Sequence, residues 1–371
     1  MSQPDIRSSF RPATTDVNAR ADISFTVPPS MDRSIAGTEG EPPKKPNRLP
    51  ALDFTKGVLV LIMVLYHWMN YFVIADGSVY KYLRFLTPSF IFITGFLISH
   101  VYLSRCKTGL RIPQRLLLRG FKLLGIVLGL NLALSMVHLT SATRLTVLSQ
   151  GNLLSAYLTG TASVAFSVLV PIAYLLILSA GLVIVSAYFS YICHAVCAVS
   201  VACAVLCEST GINSGYLSIF SIGTIGLSIG GIPLARINRL MRHPLPIWLA
   251  YLMYLAAITF WDAIYLLQLV GVCLSLSVIY WFAYCVGREE EPSRIRKMMI
   301  LLGQYSLYAY LGQIIILQVL HKSVRLLGDA TFVSGAALLA CSACTILSVE
   351  FIDRARTRLT LLNKLYAAVF S

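Results

Sequence analysis

The sequence predicts an all-α, polytopic membrane protein: a bundle of about ten transmembrane helices with both termini in the cytoplasm. Three observations predict it. Hydrophobic residues make up 57% of the 371 positions and charged residues 12%, where a soluble domain carries about 25% charged. Apolar runs of the roughly 20 residues that a bilayer demands recur from Leu52 to Phe351 with short polar breaks between them. Lys and Arg gather in alternate breaks, the asymmetry that marks cytoplasmic loops.

Taken in order, residues 1–50 come first, rich in Ser, Pro, Thr, Arg and Asp and including "EGEPPKKPNR". Such a stretch buries too little apolar surface to offset chain entropy, so it reads as a disordered cytoplasmic tail. It has no short apolar core with a cleavage site, so the first span is expected to direct insertion itself. The transmembrane domain then occupies 51–352, with helices expected at 51–74, 83–104, 113–137, 163–188, 190–207, 213–233, 245–262, 264–286, 298–321 and 331–352. Residues 139–162 are too polar to span and read as an outer loop. A basic cytoplasmic segment, 353–371, ends the chain.

The charge pattern constrains the count. Lys44, Lys45 and Arg48 precede the first helix, Arg105, Lys107, Arg111 and Arg115 follow the second, Arg236, Arg239 and Arg242 the sixth, Arg288, Arg294, Arg296 and Lys297 the eighth, and Arg354, Arg356, Arg358 and Lys364 the last. These are alternate connections, so the number of spans must be even. The net charge of +14 then follows from topology and from attraction to anionic lipid headgroups. Nucleic acid is excluded as a partner, because no soluble domain carries a groove-reading element. Most of the nine cysteines lie in apolar runs, where cysteine behaves as a small hydrophobe. The CxxC of Cys341 and Cys344 has no second pair or histidine nearby, so no metal site is expected.

The segment 52–72, "LDFTKGVLVLIMVLYHWMNYF", breaks this bland pattern. At 100° per residue, Asp53, Lys56, Val60, Met63, His67 and Asn70 share one stripe about 100° wide. Lys56 and His67 stand three turns apart, about 16 Å along the axis. Ionisable groups in a span cost at least roughly 2.5 kcal/mol each near its centre, so they normally face protein or a water-filled cavity. Two readings stand side by side. Asp53 and Lys56 pair near the interface and His67 is a hydrogen-bonded core residue, or the stripe lines a polar path in which His67 exchanges a proton near neutral pH.

"RLPALDFTKGVLVLIMVLYH" (48–67) resembles the opening helix of the transmembrane acyltransferase superfamily, which includes acyltransferase family 3 and the heparan-glucosaminide acetyltransferases. The matching positions are Arg48, Leu52, Asp53, Lys56, Gly57 and His67. "PSFIFITGFLIS" (88–99) and "LLGQYSLYAYLGQ" (301–313) are similar to two later family segments in the same order. Two positions depart: the family usually has Arg where Lys56 stands, and often His where Gln313 stands. The resemblance implies a multi-pass enzyme, here of a bacterial inner membrane, that moves an acyl group from cytoplasmic acyl-CoA, a co-substrate rather than a resident cofactor, to a hydroxyl or amine of an extracytoplasmic carbohydrate or glycolipid. It implies a catalytic role for His67 and a donor-side role for Lys56.

Other residues join these candidates. Arg111, Arg115, Arg119 and Lys122 form a basic ridge within about 80° of one another on the third helix, suited to the phosphates of coenzyme A, and equally to lipid headgroups. Gln304, Ser306, Tyr310 and Gln313 are expected to line a sugar or pantetheine pocket or to bond neighbouring helices, and Asn70 to support the stripe of His67. Gly226 and Gly230, four apart, carry a close-packing signature. The rival reading is a secondary transporter or flippase using Asp53, Lys56 and His67 as a substrate or proton path. No repeat between the two halves, which transporters often show, is evident.

Overall fold

A computed structural model describes residues 49–73, 77–103, 111–137, 166, 168–189, 191–212, 215–261, 264–288, 293–327 and 331–370. The predicted N-terminal tail up to residue 48 and the 139–162 loop lie outside these, as do Arg105 and Lys107. Among the described residues all regular structure is helical. The helices are α1 (Pro50–Trp68), α2 (Leu86–Leu97), α3 (Arg111–Val137), α4 (Leu169–Val185), α5 (Ile192–Ser209), α6 (Gly215–Ile229), α7 (Leu234–Leu240), α8 (Pro244–Phe260), α9 (Tyr265–Val286), α10 (Arg294–Gln304), α11 (Ser306–Leu327), α12 (Thr331–Arg358) and α13 (Thr360–Phe370). Short turns at Gly77–Tyr80 and Lys81–Leu83 lead into α2, and π-helical turns extend α1 over Met69–Val73 and α2 over Ile98–Tyr102.

Among the described residues, five helical stretches are long and apolar enough to cross a membrane: Pro50–Val73, Lys81–Tyr102, Ile192–Ser209, Tyr265–Val286 and Gly335–Arg358. The number rises to seven if each of two sharply bent pairs counts as one span. Leu169–Val185 and Pro244–Phe260 are apolar but shorter. The two bent pairs correct the predicted boundaries. The segment expected as one helix over 213–233 stops at Ile229, and α7 leaves at 101°. The cause is local: Gly230, Gly231 and Pro233 cannot carry a helix onward. The segment expected over 298–321 is α10 and α11, meeting at 90° about Tyr305.

Glycines set the closest helix contacts. A Cβ on Gly57 of α1 would overlap the Met299 carbonyl of α10, and one on Gly303 of α10 would overlap the Asp53 carbonyl of α1. The two backbones therefore lie against each other, which places the α10–α11 break beside Asp53 and Lys56. α2 and α6 meet in the same way, Gly95 against the Gly223 carbonyl and Gly226 against Phe92, as the spacing of Gly226 and Gly230 predicts. Between these pairs a core of Leu59, Met63, Ile93, Val127, Ala173 and Ile222 fills the bundle centre.

Candidate functional site

Of the cavities that α1 helps to line among the described residues, one holds Lys56 and another holds His67. The first, of about 380 Å³, sits where α1 and α3 begin, where α10 meets α11, and where α13 folds back after α12. Lys56, Arg119 and Lys122 line it, with Gln304 and Ser306 from the two sides of the break and Tyr366 from α13. Apolar side chains of α2, α3 and α4, among them Ile93, Leu123 and Ile172, form its inner wall. Among the described residues no carboxylate lines it, so its lining charge is positive, and low-dielectric walls concentrate that field. Lys56 also pairs with Asp53 at 2.7 Å, the two side chains being 18% and 12% exposed. The pairing predicted at i, i+3 and the cavity-facing position thus hold together. Arg119 donates to the Tyr102 hydroxyl at 2.5 Å.

The second cavity, of about 290 Å³, surrounds His67. Tyr66, Tyr71, Thr87, Tyr310 and Gln318 bring hydroxyls and an amide to it, and Phe166 adds an aromatic face. His67 Nε2 is buried and has no hydrogen-bond partner among the described residues. A buried polar atom left unpaired costs about 1–3 kcal/mol, which a bound hydroxyl would recover. Phe166 has a positive φ of 62°, where a bulky L-residue costs roughly 1–2 kcal/mol. Its ring stands edge-on to Tyr310, centroids 6.1 Å apart.

The sequence predicts one path touching both Lys56 and His67. The structure places them in different cavities that share Met63, Val168 and Tyr310. The Tyr310 ring lies 6.2 Å from that of His67. These three side chains line both cavities, at the junction of the one that holds Lys56, Arg119 and Lys122 with the one that holds His67.

Three predicted residues fall elsewhere. Asn70 is exposed and lines neither cavity. The π turn over Met69–Val73 advances each residue less far round the axis than an α turn, and this brings Tyr71 rather than Asn70 into the row of His67. Arg115 is exposed and lies about 6 Å nearer the start of α3 than Arg119, short of the cavity. Gln313 is fully buried with no partner for either amide atom among the described residues. It belongs to the row Ala309, Gln313, Leu317, all 0% exposed, while the cavity row is Tyr310, Ile314, Gln318. Three residues along a helix is a 60° offset, enough to turn Gln313 into the packing of α11. Of Arg111 only the backbone is described.

The structure adds Tyr366 and Val369 to the first cavity and Tyr66, Tyr71, Thr87, Phe166 and Gln318 to the second. Only the last helix left a signal, the apolar spacing within "LLNKLYAAVF" (361–370). Comparison with protein-family models, curated proteins and solved structures finds no match.

Proposed function

We propose that this chain is a membrane-bound acyltransferase of ten spans with both termini cytoplasmic, seated in a bacterial inner membrane. It takes an acyl group from cytoplasmic acyl-CoA and places it on a hydroxyl, or an amine, of an extracytoplasmic glycan or glycolipid. The observation that carries this reading is the division of labour along α1: a cationic cavity at Lys56, a hydroxyl-lined cavity at His67, and Met63, Val168 and Tyr310, which line both and in this reading form a septum between them. The resemblance of the α1 sequence to the transmembrane acyltransferases supports it independently.

In this reading Lys56, Arg119 and Lys122 hold the donor phosphates, Arg by a planar fork and Lys as a compact charge. The apolar wall receives the uncharged arm, whose thioester reaches the septum. The acceptor lies among the tyrosines of the second cavity, whose rings suit a sugar face and whose hydroxyls match its polar edge. Its hydroxyl gives a proton to His67 Nε2 while the oxygen bonds to the thioester carbonyl carbon. The carbon–sulfur bond breaks, and the departing sulfur takes the proton. An ester and the free thiol of coenzyme A result.

The septum also favours a second reading, because a barrier between two cavities is what an alternating-access transporter or flippase needs. One assay separates the two. Purified full-length protein in detergent is incubated with radiolabelled acyl-CoA, with and without glycan acceptors. The acyltransferase reading predicts release of free coenzyme A with label on the acceptor or in water. Intact donor with no free coenzyme A, alongside substrate movement in vesicles, would establish the transporter.

A further inference from the structure

α13 is tied to the mouth of the cationic cavity through one side chain. Arg356, near the end of α12, donates from Nε and Nη2 to the Asn363 Oδ1 of α13 at 3.2 and 2.9 Å. It donates from Nη1 to the Tyr305 hydroxyl at 3.1 Å, and its guanidinium lies 4.0 Å from the Tyr366 ring centroid. The Tyr305 hydroxyl in turn donates to Asp353 at 2.7 Å. Tyr305 is the residue at the α10–α11 break, between Gln304 and Ser306, which both line the cavity. Thus the guanidinium joins α13 to the very turn that shapes the cavity mouth.

The pattern of α13 fits this seat. Leu362, Tyr366 and Val369 follow an i, i+4, i+7 row; Tyr366 and Val369 line the cavity, and Tyr366 packs edge-on against Tyr305 with centroids 5.4 Å apart. Leu361 and Leu365 are 71% and 55% exposed on another side, as in a helix that lies in the headgroup boundary. Only Leu359 separates α12 from α13, so the seat of α13 is set at that one joint and by the contacts of Arg356 and Tyr366.

We infer that α13 is a cover over the cationic cavity, that Arg356 is the positioning residue that holds it there, and that Tyr366 contacts the anionic ligand at the mouth. The Tyr366 contact rests on the reading of this cavity as the coenzyme A site; the cover does not. A ligand entering from the basic end meets the Tyr366 side chain beside Lys56, Arg119 and Lys122. The aromatic edge and hydroxyl of Tyr366 complement a heteroaromatic base or a phosphate ester at that point.

The test uses the full-length chain in detergent with Ser306→Cys as a reporter, labelled by a bulky sulfonated maleimide. The unmodified chain gives the background from native cysteines. Labelling is expected to be slow in the otherwise native chain. Arg356→Ala or Tyr366→Ala speeds it about tenfold, the loss expected for a cation–π contact plus hydrogen bonds. Arg356→Lys, which keeps the charge over the ring but not the fork to Asn363, falls between. Equal rates in all backgrounds overturn the cover. In parallel, equilibrium binding of coenzyme A is expected to weaken about tenfold in Tyr366→Ala at unchanged melting temperature. Native binding that Tyr366→Ala leaves intact overturns the Tyr366 contact alone. No binding by the native chain overturns the acyl-CoA reading, and the labelling rates still decide the cover.

Discussion

Lys56 and His67 stand eleven positions apart on α1 yet line different cavities, and Met63, between them in sequence, lines both. Their separation of three turns is long enough for a cation and an imidazole to serve opposite ends of one extended ligand. In the acyltransferase reading, Met63 and Tyr310, which line both cavities, stand where a reacting group passes from one compartment to the other. If the acyltransferase reading holds, this septum keeps water of the His67 compartment away from the donor thioester.

In that reading, opening the septum is expected to uncouple transfer from hydrolysis. Tyr310→Ala and Met63→Ala are expected to raise acyl-CoA hydrolysis relative to transfer severalfold, because a cavity joined by a lost side chain admits water between polar partners. The ratio of free label to acceptor-bound label measures this. A ratio equal to that of the native chain means that the septum excludes nothing.

The cations divide by position. Lys122→Ala and Arg119→Ala each remove a lining charge and should raise KM for the donor about tenfold with kcat nearly constant, the signature of lost binding common to ground and transition states. Arg115→Ala, outside the cavity, should leave KM within about twofold. Steady-state kinetics on the three variants checks it, and equal effects of all three would point to surface attraction instead.

Close packing of α1 on α10 predicts a stability difference between glycines. Gly57→Ala and Gly303→Ala each drive a methyl group into a facing carbonyl, at a cost of about 1–3 kcal/mol for overpacking. Gly129→Ala, with no atom within 4 Å of the added carbon, should be neutral or slightly stabilising, as Ala favours helix over Gly. Thermal unfolding in detergent ranks the three, and a Gly57 variant as stable as the Gly129 variant contradicts the contact.

Tyr366, outside the spans, offers a pH test of the α13 seat. Burial, with the Tyr305 ring as a smaller contributor and Arg356 opposing, pushes its hydroxyl from 10.0 up to about 12. The folded state thus holds the proton more tightly than the unfolded chain. Stability from this group is full below pH 10 and is lost as pH rises toward 12. The ultraviolet titration of the native chain minus that of Tyr366→Phe should show a midpoint near 12. A midpoint near 10 would mean that the ring is solvated and α13 undocked.

Much of the fold is legible because the bilayer imposes a length and the hydrocarbon a composition, and both leave long uniform runs. The turn after Ile229 was written in Gly230, Gly231 and Pro233, though hydropathy alone smooths over it. The break at Tyr305 is not legible in an apolar run, and the groups that meet the Tyr305 hydroxyl there, Asp353 and Arg356, lie 48 and 51 residues away. Within the site, Lys56, His67, Arg119, Lys122, Ser306 and Tyr310 all reach a cavity, since ionisable and polar groups in an apolar helix need a polar surrounding. Asn70 was misplaced by a π turn, and Gln313 by a 60° offset that wheel arithmetic cannot resolve without knowing which neighbour packs where. Tyr366 is announced only by the apolar spacing of its helix, and Phe166, which contributes through position rather than type, by nothing in its letter.

The most direct measurement of the central claim is the turnover of labelled acyl-CoA by purified native protein and by His67→Ala, with folding checked by thermal unfolding. Loss of a general base should lower transfer by about 10²- to 10⁴-fold while leaving the melting temperature and coenzyme A binding in place. Transfer by His67→Ala at the native rate would contradict the account, since His67 would then have no part in the chemistry of its cavity.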